Sequence, residues 1–229
     1  MSDQTTHEVI ACRVAQSLEA NVGVLRAGAR LDVTDAPDPR DGHVRQSLER
    51  AAEIVRACAD LGRRNNPTAL GMLARAHLEA LIRILWVTTS VQNAEELSDV
   101  RTEELVRMAK VNLRSGKLRV IDQATGEDET ARLLADERMN TKKHRKSVEA
   151  YAKEAGVQDL YNVFYRFMSL EVHAHRLDGG HKADWELTAM HLQGIGGLTQ
   201  AIGHVGVRWL LHRQRPSNEE LRGLLGIGR

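Results

Sequence analysis

Apolar residues recur every three or four positions along most of this chain, the spacing of helices that bury one face. Val9/Ile10, Val14, Leu18, Val22 and Leu25 predict a first helix from about His7 to Arg26, its end weakened by Gly23 and Gly28. Asp32 to Gly42 (DVTDAPDPRDG) reads as a turn-rich linker. A second helix is predicted over His43 to Arg64, with Val44, Leu48, Ala51, Ala52, Val55, Cys58 and Ala59 inward and an arginine-rich outer face. Asn66 is placed to cap a third, strongly apolar helix over Thr68 to Thr89, with Pro67 suited to the first helical position. Asn93 to Glu96 reads as a capping box opening a fourth helix, which carries Leu97, Val100, Leu105, Met108, Val111 and Leu113. The pattern lapses from Ser115 to Thr130, an expected exposed excursion, and resumes over Thr130 to Met139. Val148, Tyr151, Ala152 and Ala155 form a further helical stretch, closed by Gly156.

Asp159 to Arg176 (DLYNVFYRFMSLEVHAHR) predicts another helix, with Leu160, Phe164, Phe167, Met168 and Val172 as its burying surface. A long last helix is expected over Trp185 to Arg213, carrying Leu187, Met190, Ile195, Leu198, Ile202, Val205, Trp209 and Leu210. Its glycines, Gly194, Gly196, Gly197, Gly203 and Gly206, imply close helix–helix approach or a break near Gly196. Ser217 to Glu220 reads as a capping box for a short terminal helix ending at Gly226. No stretch alternates long enough to argue a sheet. The expected fold is all-α: one helical domain over residues 1–229, a bundle of six to eight helices. It divides into an N-terminal helix and linker at 1–42, a core bundle at 43–213 and a short C-terminal helix at 214–229. The third, 159–176 and last helices are expected at its centre.

Aromatic residues make up only 3% of the chain, so the core must rest on aliphatic side chains. Lys and Arg total 32 against 31 for Asp and Glu, so no global basic field points to nucleic acid. Cys12 and Cys58 fall in predicted amphipathic helices and read as buried, reduced thiols. The N-terminus lacks a charged region followed by an apolar one, and Ala80 to Val87 is short and interrupted by Arg83. A cytoplasmic protein without a membrane span is expected.

The chemistry concentrates in the predicted 159–176 helix. Tyr161, Tyr165, Ser169 and His173 are spaced by four and share one helical face, a ladder of hydroxyls and an imidazole. In the third helix Arg75 and Glu79 are also four apart, and a half-buried pair of this kind needs further hydrogen-bonding partners. The ladder is placed to supply them. Two readings of the ladder stand side by side, a reactive or ligand-binding site and an internal polar network that fixes helix register. Arg166 and His173 also resemble the arginine–spacer–histidine signature of the HEPN helical ribonucleases. Arg138 to His144 and Arg176 to His181 have similar spacing, and Phe167 stands where that group usually has a polar residue. His173, His175, Asp178, His181 and Asp184 cluster, but His-x-His splays its rings on a helix, so no metal and no cofactor is expected. Lys142 to Lys146 is the densest basic run and lacks interleaved aromatics for stacking single strands.

The segments LARAHLEALIRILWV and LYNVFYRFMSLEVHAH together resemble a bacterial domain of unknown function, DUF5677, over roughly Pro67 to His181. The resemblance pairs an Arg-x-x-x-Glu helix, here Arg75 and Glu79, with a Tyr…Ser…His helix, here Tyr165, Ser169 and His173. It implies an all-helical domain in which these two helices meet, and brings no activity with it. The leading functional expectation is metal-independent cleavage of RNA in a toxin or defence setting. Arg75 or Arg166 would bind phosphate, His173 would be the acid or base, and Tyr165 and Ser169 would orient it, with Glu79 completing the set. The alternatives are a non-enzymatic interaction protein with a structural polar network and a binder of a small anionic ligand. RNA is the expected partner, with a homodimer through the glycine-containing last helix.

Overall fold

The computed structural model describes residues 3–33, 36–136, 146–165 and 184–214. Eight α-helices occur among them: α1 (Asp3–Ala29), α2 (Pro39–Arg63), α3 (Pro67–Thr89), α4 (Val91–Arg114), α5 (Thr130–Ala135), α6 (Val148–Glu154), α7 (Gln158–Leu160) and α8 (Trp185–His212). A π-helical turn, Tyr161–Tyr165, continues α7. The described residues contain no strand; Ile121 and Asp128 form one isolated antiparallel bridge. The all-α expectation holds.

The centre is built by α1, α2, α3 and α8: α2 and α8 pack on each other, and α1 and α3 each pack on both. Their core is aliphatic, with Leu18, Leu48, Leu70, Leu78, Ile82, Leu192, Ile195 and Ile202 at most 1% exposed and Trp86 the large aromatic exception. Helix α1 shares the central core with α2 and α8, which the expected arrangement did not include; the described start of the 159–176 segment lies next to α6, and the rest of that segment lies outside the described residues. Helix α1 buries Ala11, Ala15, Leu18, Val22 and Leu25 along one face and leaves Val9 exposed.

Several boundaries differ from expectation for local reasons. Helix α2 begins at Pro39 rather than His43, because the Asp38 side chain accepts from the Arg40 backbone N–H and Pro39 takes the first helical position. Trp209 Nε1 donates to Asp41 Oδ1 at 2.9 Å, and the Arg40 guanidinium lies 4.6 Å over the Trp209 ring, so α8 clamps this start. Asn66 caps α3 as expected, accepting from the Ala69 N–H. Ser90, not Asn93, caps α4; the Asn93 amide donates to the Trp86 carbonyl and Thr89 Oγ1, closing the end of α3 instead. On α4 the expected inward residues Leu105, Met108 and Val111 are exposed, as are Phe164 and Met190 elsewhere. Cys12 is exposed, not buried, while burial pushes the Cys58 thiol up to about 12.

Helix α8 is continuous through Gly196 and Gly197, which rules out the alternative of a break there. Close approach explains Gly206, where an added Cβ would stand 2.8 Å from Leu48 Cδ2 and 2.9 Å from its Cγ. Gly28 on α1 and Gly62 on α2 make the reciprocal approaches to Val207 and Leu192 of α8. Gly194 and Gly197 face open space, so packing within the chain does not account for them. No helix among the described residues is long and apolar enough to cross a membrane. The predicted terminal helix at 217–226 lies outside the described residues.

Candidate functional site

Three charged residues stand four apart on α3: Arg75, Glu79 and Arg83. They project from one helical face, while Leu70, Ala74, Leu78, Leu81 and Ile82 turn to the core. Their side chains are 33%, 25% and 33% exposed. Opposite them the chain must reverse after α6. Gly156 provides the reversal at φ 71°, with its N–H bonded to Lys153 O and the Val157 N–H bonded to Ala152 O. These two bonds close the helix end in a way that favours glycine, as the sequence predicted. Helix α7 and the π turn follow and present Tyr165 to α3.

Arg75 Nη2 donates to Tyr165 Oη at 2.5 Å, and Tyr165 Oη donates to Glu79 Oε1 at 3.1 Å. The Arg75 guanidinium also lies 4.5 Å over the Tyr165 ring, and Tyr161 stacks on Tyr165 at 4.7 Å. Arg75 Nε and Arg83 Nη2 stand 3.6 and 3.7 Å from the two Glu79 oxygens. Burial holds the Tyr165 hydroxyl above its ordinary range, reinforced by the Glu79 charge and opposed by Arg75. The hydroxyl therefore stays protonated and available as a donor at neutral pH. The tyrosine ladder thus reaches the Arg75–Glu79 pair at its Tyr165 rung. Ser169, His173 and Arg166 lie outside the described residues, as do Arg138, Arg176 and the 142–145 part of the basic run.

Arg75, Glu79, Arg83 and Tyr165 line a cavity of about 1120 Å³ bounded by α1, α2, α3, α4 and α6. Arg26, Arg50, Arg101 and Lys146 lie on the same walls, with Glu49, Glu53 and Glu104 among them. Lys146, last of the basic run, is committed to structure: Nζ lies 2.8 Å from Glu96 and 3.0 Å from Glu154, and 5.1 Å from the Trp86 ring centre. Trp86 Nε1 donates to Glu154 at 2.7 Å, and the Lys146 hydrogen bond, with that from Trp86, holds the Glu154 carboxyl below the usual range. This knot ties α4 and α6 to α3 and fixes one wall. On another wall His43 Nε2 contacts both the Ala94 carbonyl and Ser98 Oγ at 2.9 Å, joining α2 to α4; burial lowers its pKa.

The sequence reading missed Arg83 as a site residue and weighed it only as an interruption of an apolar run. The spacing Arg75, Glu79, Arg83 was the available signal, because two arginines one turn either side of a glutamate share its face. Among the described residues no group of three or more His, Cys, Asp or Glu is placed to hold a metal. Asp184 caps α8 through the Leu187 N–H. The remaining members of the His173–Asp184 cluster lie outside the described residues.

An all-α bundle with an arginine-rich cleft crossed by an Arg–Tyr–Glu contact is the class that this geometry defines. The matching family model is a family of unknown function, DUF5677, over residues 43–178. That is more than half the chain, and the protein belongs to this family. The match spans Arg75, Glu79, Arg83 and Tyr165, and leaves α1 and α8 outside it. No curated protein matches the chain. No solved structure matches it either.

Proposed function

We propose that the protein binds RNA along the arginine-lined cleft and cleaves it without a metal. The observation that carries this reading is the Arg75–Glu79–Arg83 face with the Tyr165 hydroxyl at the wall of a cavity of about 1120 Å³. Small-molecule pockets run to about 300–1,000 Å³. The cleft exceeds that range and is lined by more arginine than carboxylate, which favours a short stretch of anionic polymer over a compact metabolite. Guanidinium groups suit phosphate because their planar N–H donors match its oxygens.

Cleavage follows the chemistry that a histidine and an arginine can supply. The ribose 2′-oxygen attacks the neighbouring phosphorus and gives its proton to the His173 imidazole. The bond from phosphorus to the 5′-oxygen breaks, and that oxygen leaves with a proton from water. The products are a 2′,3′-cyclic phosphate and a 5′-hydroxyl. Arginine stabilises the charge that builds on the phosphoryl oxygens. Ser169 and Tyr165 orient the reacting groups, and Arg166 is a second candidate for the phosphate.

The test incubates wild type and His173→Ala with total RNA, with and without chelator. Cleavage by wild type alone, unaffected by chelation, is expected. No cleavage by wild type under any condition overturns the proposal.

A second reading is favoured by one feature of the geometry: Arg75, Tyr165 and Glu79 satisfy one another, as a structural network would. On that reading Tyr165→Phe, which keeps the stacked ring, lowers stability by about 1 kcal/mol and changes nothing in RNA handling. On the cleavage reading it lowers RNA turnover beyond what the lost stability explains.

A further inference from the structure

The two α3 arginines are not equivalent. Arg75 is already engaged by the Tyr165 hydroxyl, the Tyr165 ring and Glu79. Among the described residues, Arg83 has only the 3.7 Å approach of its Nη2 to Glu79, beyond hydrogen-bond reach. Its Nε–H is buried and finds no hydrogen-bond acceptor among the described residues. A buried N–H without an acceptor loses its water and gains nothing in return, so its retention calls for a further partner. The group lines the cleft, where such a partner can enter.

Charge counting points the same way. Among the described residues Arg75 and Arg83 share a single carboxylate, Glu79, and Tyr165 stays neutral, which leaves one positive charge over within this set. The other cations near the cleft differ. Lys146 is held between Glu96 and Glu154, and Arg26 is paired with Glu53. Arg101 bonds the neutral Gln46, and Arg50 has no acidic partner among the described residues. Both line the same cavity, from α4 and α2.

We infer that Arg83 is the residue of the cleft that takes a substrate phosphodiester, one singly charged backbone phosphate, with Arg50 and Arg101 flanking the strand on either side. This deepens the RNA reading and rests on it. Arg75 is then a positioning residue, which holds Tyr165 and Glu79 so that the Arg83 fork stays open towards the cleft. A diester matches the single excess charge; a terminal phosphomonoester, carrying nearly two, does not.

The test is equilibrium binding of a fluorescent single-stranded RNA oligonucleotide without terminal phosphates to the full-length protein. It is followed by anisotropy across a range of salt concentrations. For single strands the log–log salt slope changes by about 0.7 for each phosphate neutralised. Arg83→Gln is expected to weaken binding about tenfold or more and to reduce the slope by about 0.7. Arg83→Lys is expected to keep the slope while binding more weakly than wild type, because it restores the charge without the guanidinium fork. A purely structural Arg83 would lower the melting temperature and leave the slope of the folded fraction unchanged. If Arg83→Gln does not fold, Arg83→Lys decides by affinity: weaker binding at an unchanged slope supports the inference, and wild-type affinity overturns it. Wild-type binding with Arg83 variants of wild-type affinity and slope overturns this inference and leaves the RNA reading standing. Failure of the wild type to bind at low salt overturns both.

Discussion

His77 sits at the centre of the bundle, fully buried between α3 and α8. Thr199 Oγ1 donates to the Ile195 carbonyl and so accepts from His77 Nε2 at 3.0 Å, which fixes the tautomer. Nδ1 has no partner among the described residues, and burial lowers the pKa from 6.5 to about 4. The unfolded chain therefore binds this proton first as pH falls, and stability is lost from about pH 6.5 down through pH 4. The loss attributable to His77 reaches about 2 kcal/mol by pH 5. Urea unfolding at pH 7 and pH 5 should show that loss in wild type and a much smaller one in His77→Leu. His43, also lowered by burial, leaves a residual slope of the same sign. An unchanged pH slope in His77→Leu would remove the burial argument. Residue-scale chemistry was only partly legible. Tyr165 was found because its helical spacing to Tyr161 is visible in the string, and Arg75 and Glu79 because they are neighbours on one helix. Arg83 was not, because what singles it out is a buried Nε without an acceptor among the described residues, and no string shows an unmet hydrogen bond.

Among the elements, α8 shows how the same residue type carries opposite meaning at different positions. Gly206 lies against Leu48 of α2, and a methyl group there would meet that side chain at 2.8–3.1 Å. Gly206→Ala should destabilise by about 1–3 kcal/mol, outweighing the helix propensity that alanine adds. Gly194 faces open space, so Gly194→Ala should stabilise by up to about 1 kcal/mol. Thermal or urea unfolding of the two variants checks both signs, and equal effects would contradict the packing described. Helix existence was readable from periodicity throughout, whereas boundaries were not. Asp38-Pro39 and Ser90 cap their helices, but each competed in the sequence with an equally plausible signal, the Asp32–Gly42 linker and the Asn93–Glu96 box. Which one wins depends on distant partners. Asp41 is held by Trp209 of α8, and Asn93 closes the preceding helix. The expected inward face of α4 differs as well: Leu105, Met108 and Val111 have helical spacing, yet all three side chains are exposed.

For the whole molecule, the all-α class followed from composition and period, but the arrangement of helices did not. Helices α1 and α8 lie at opposite ends of the described chain and form half of the central bundle, a pairing that local pattern cannot encode. That pairing leaves α3 with one face in the core and the Arg75–Glu79–Arg83 face turned to the cleft, while the Lys146–Glu154–Trp86 knot holds the opposite wall. On the proposed function, RNA lies in this cleft. Hydrogen exchange of the full-length protein with and without a single-stranded RNA oligonucleotide tests it most directly. Added protection is predicted in peptides covering 75–87 of α3, the cleft-facing parts of α2 and α4, and 146–165. Peptides from the outer face of α8 around Gly194 and Gly197 should not change. Protection confined to α8 or to the 115–130 excursion, or no change at RNA concentrations that saturate binding, would contradict it.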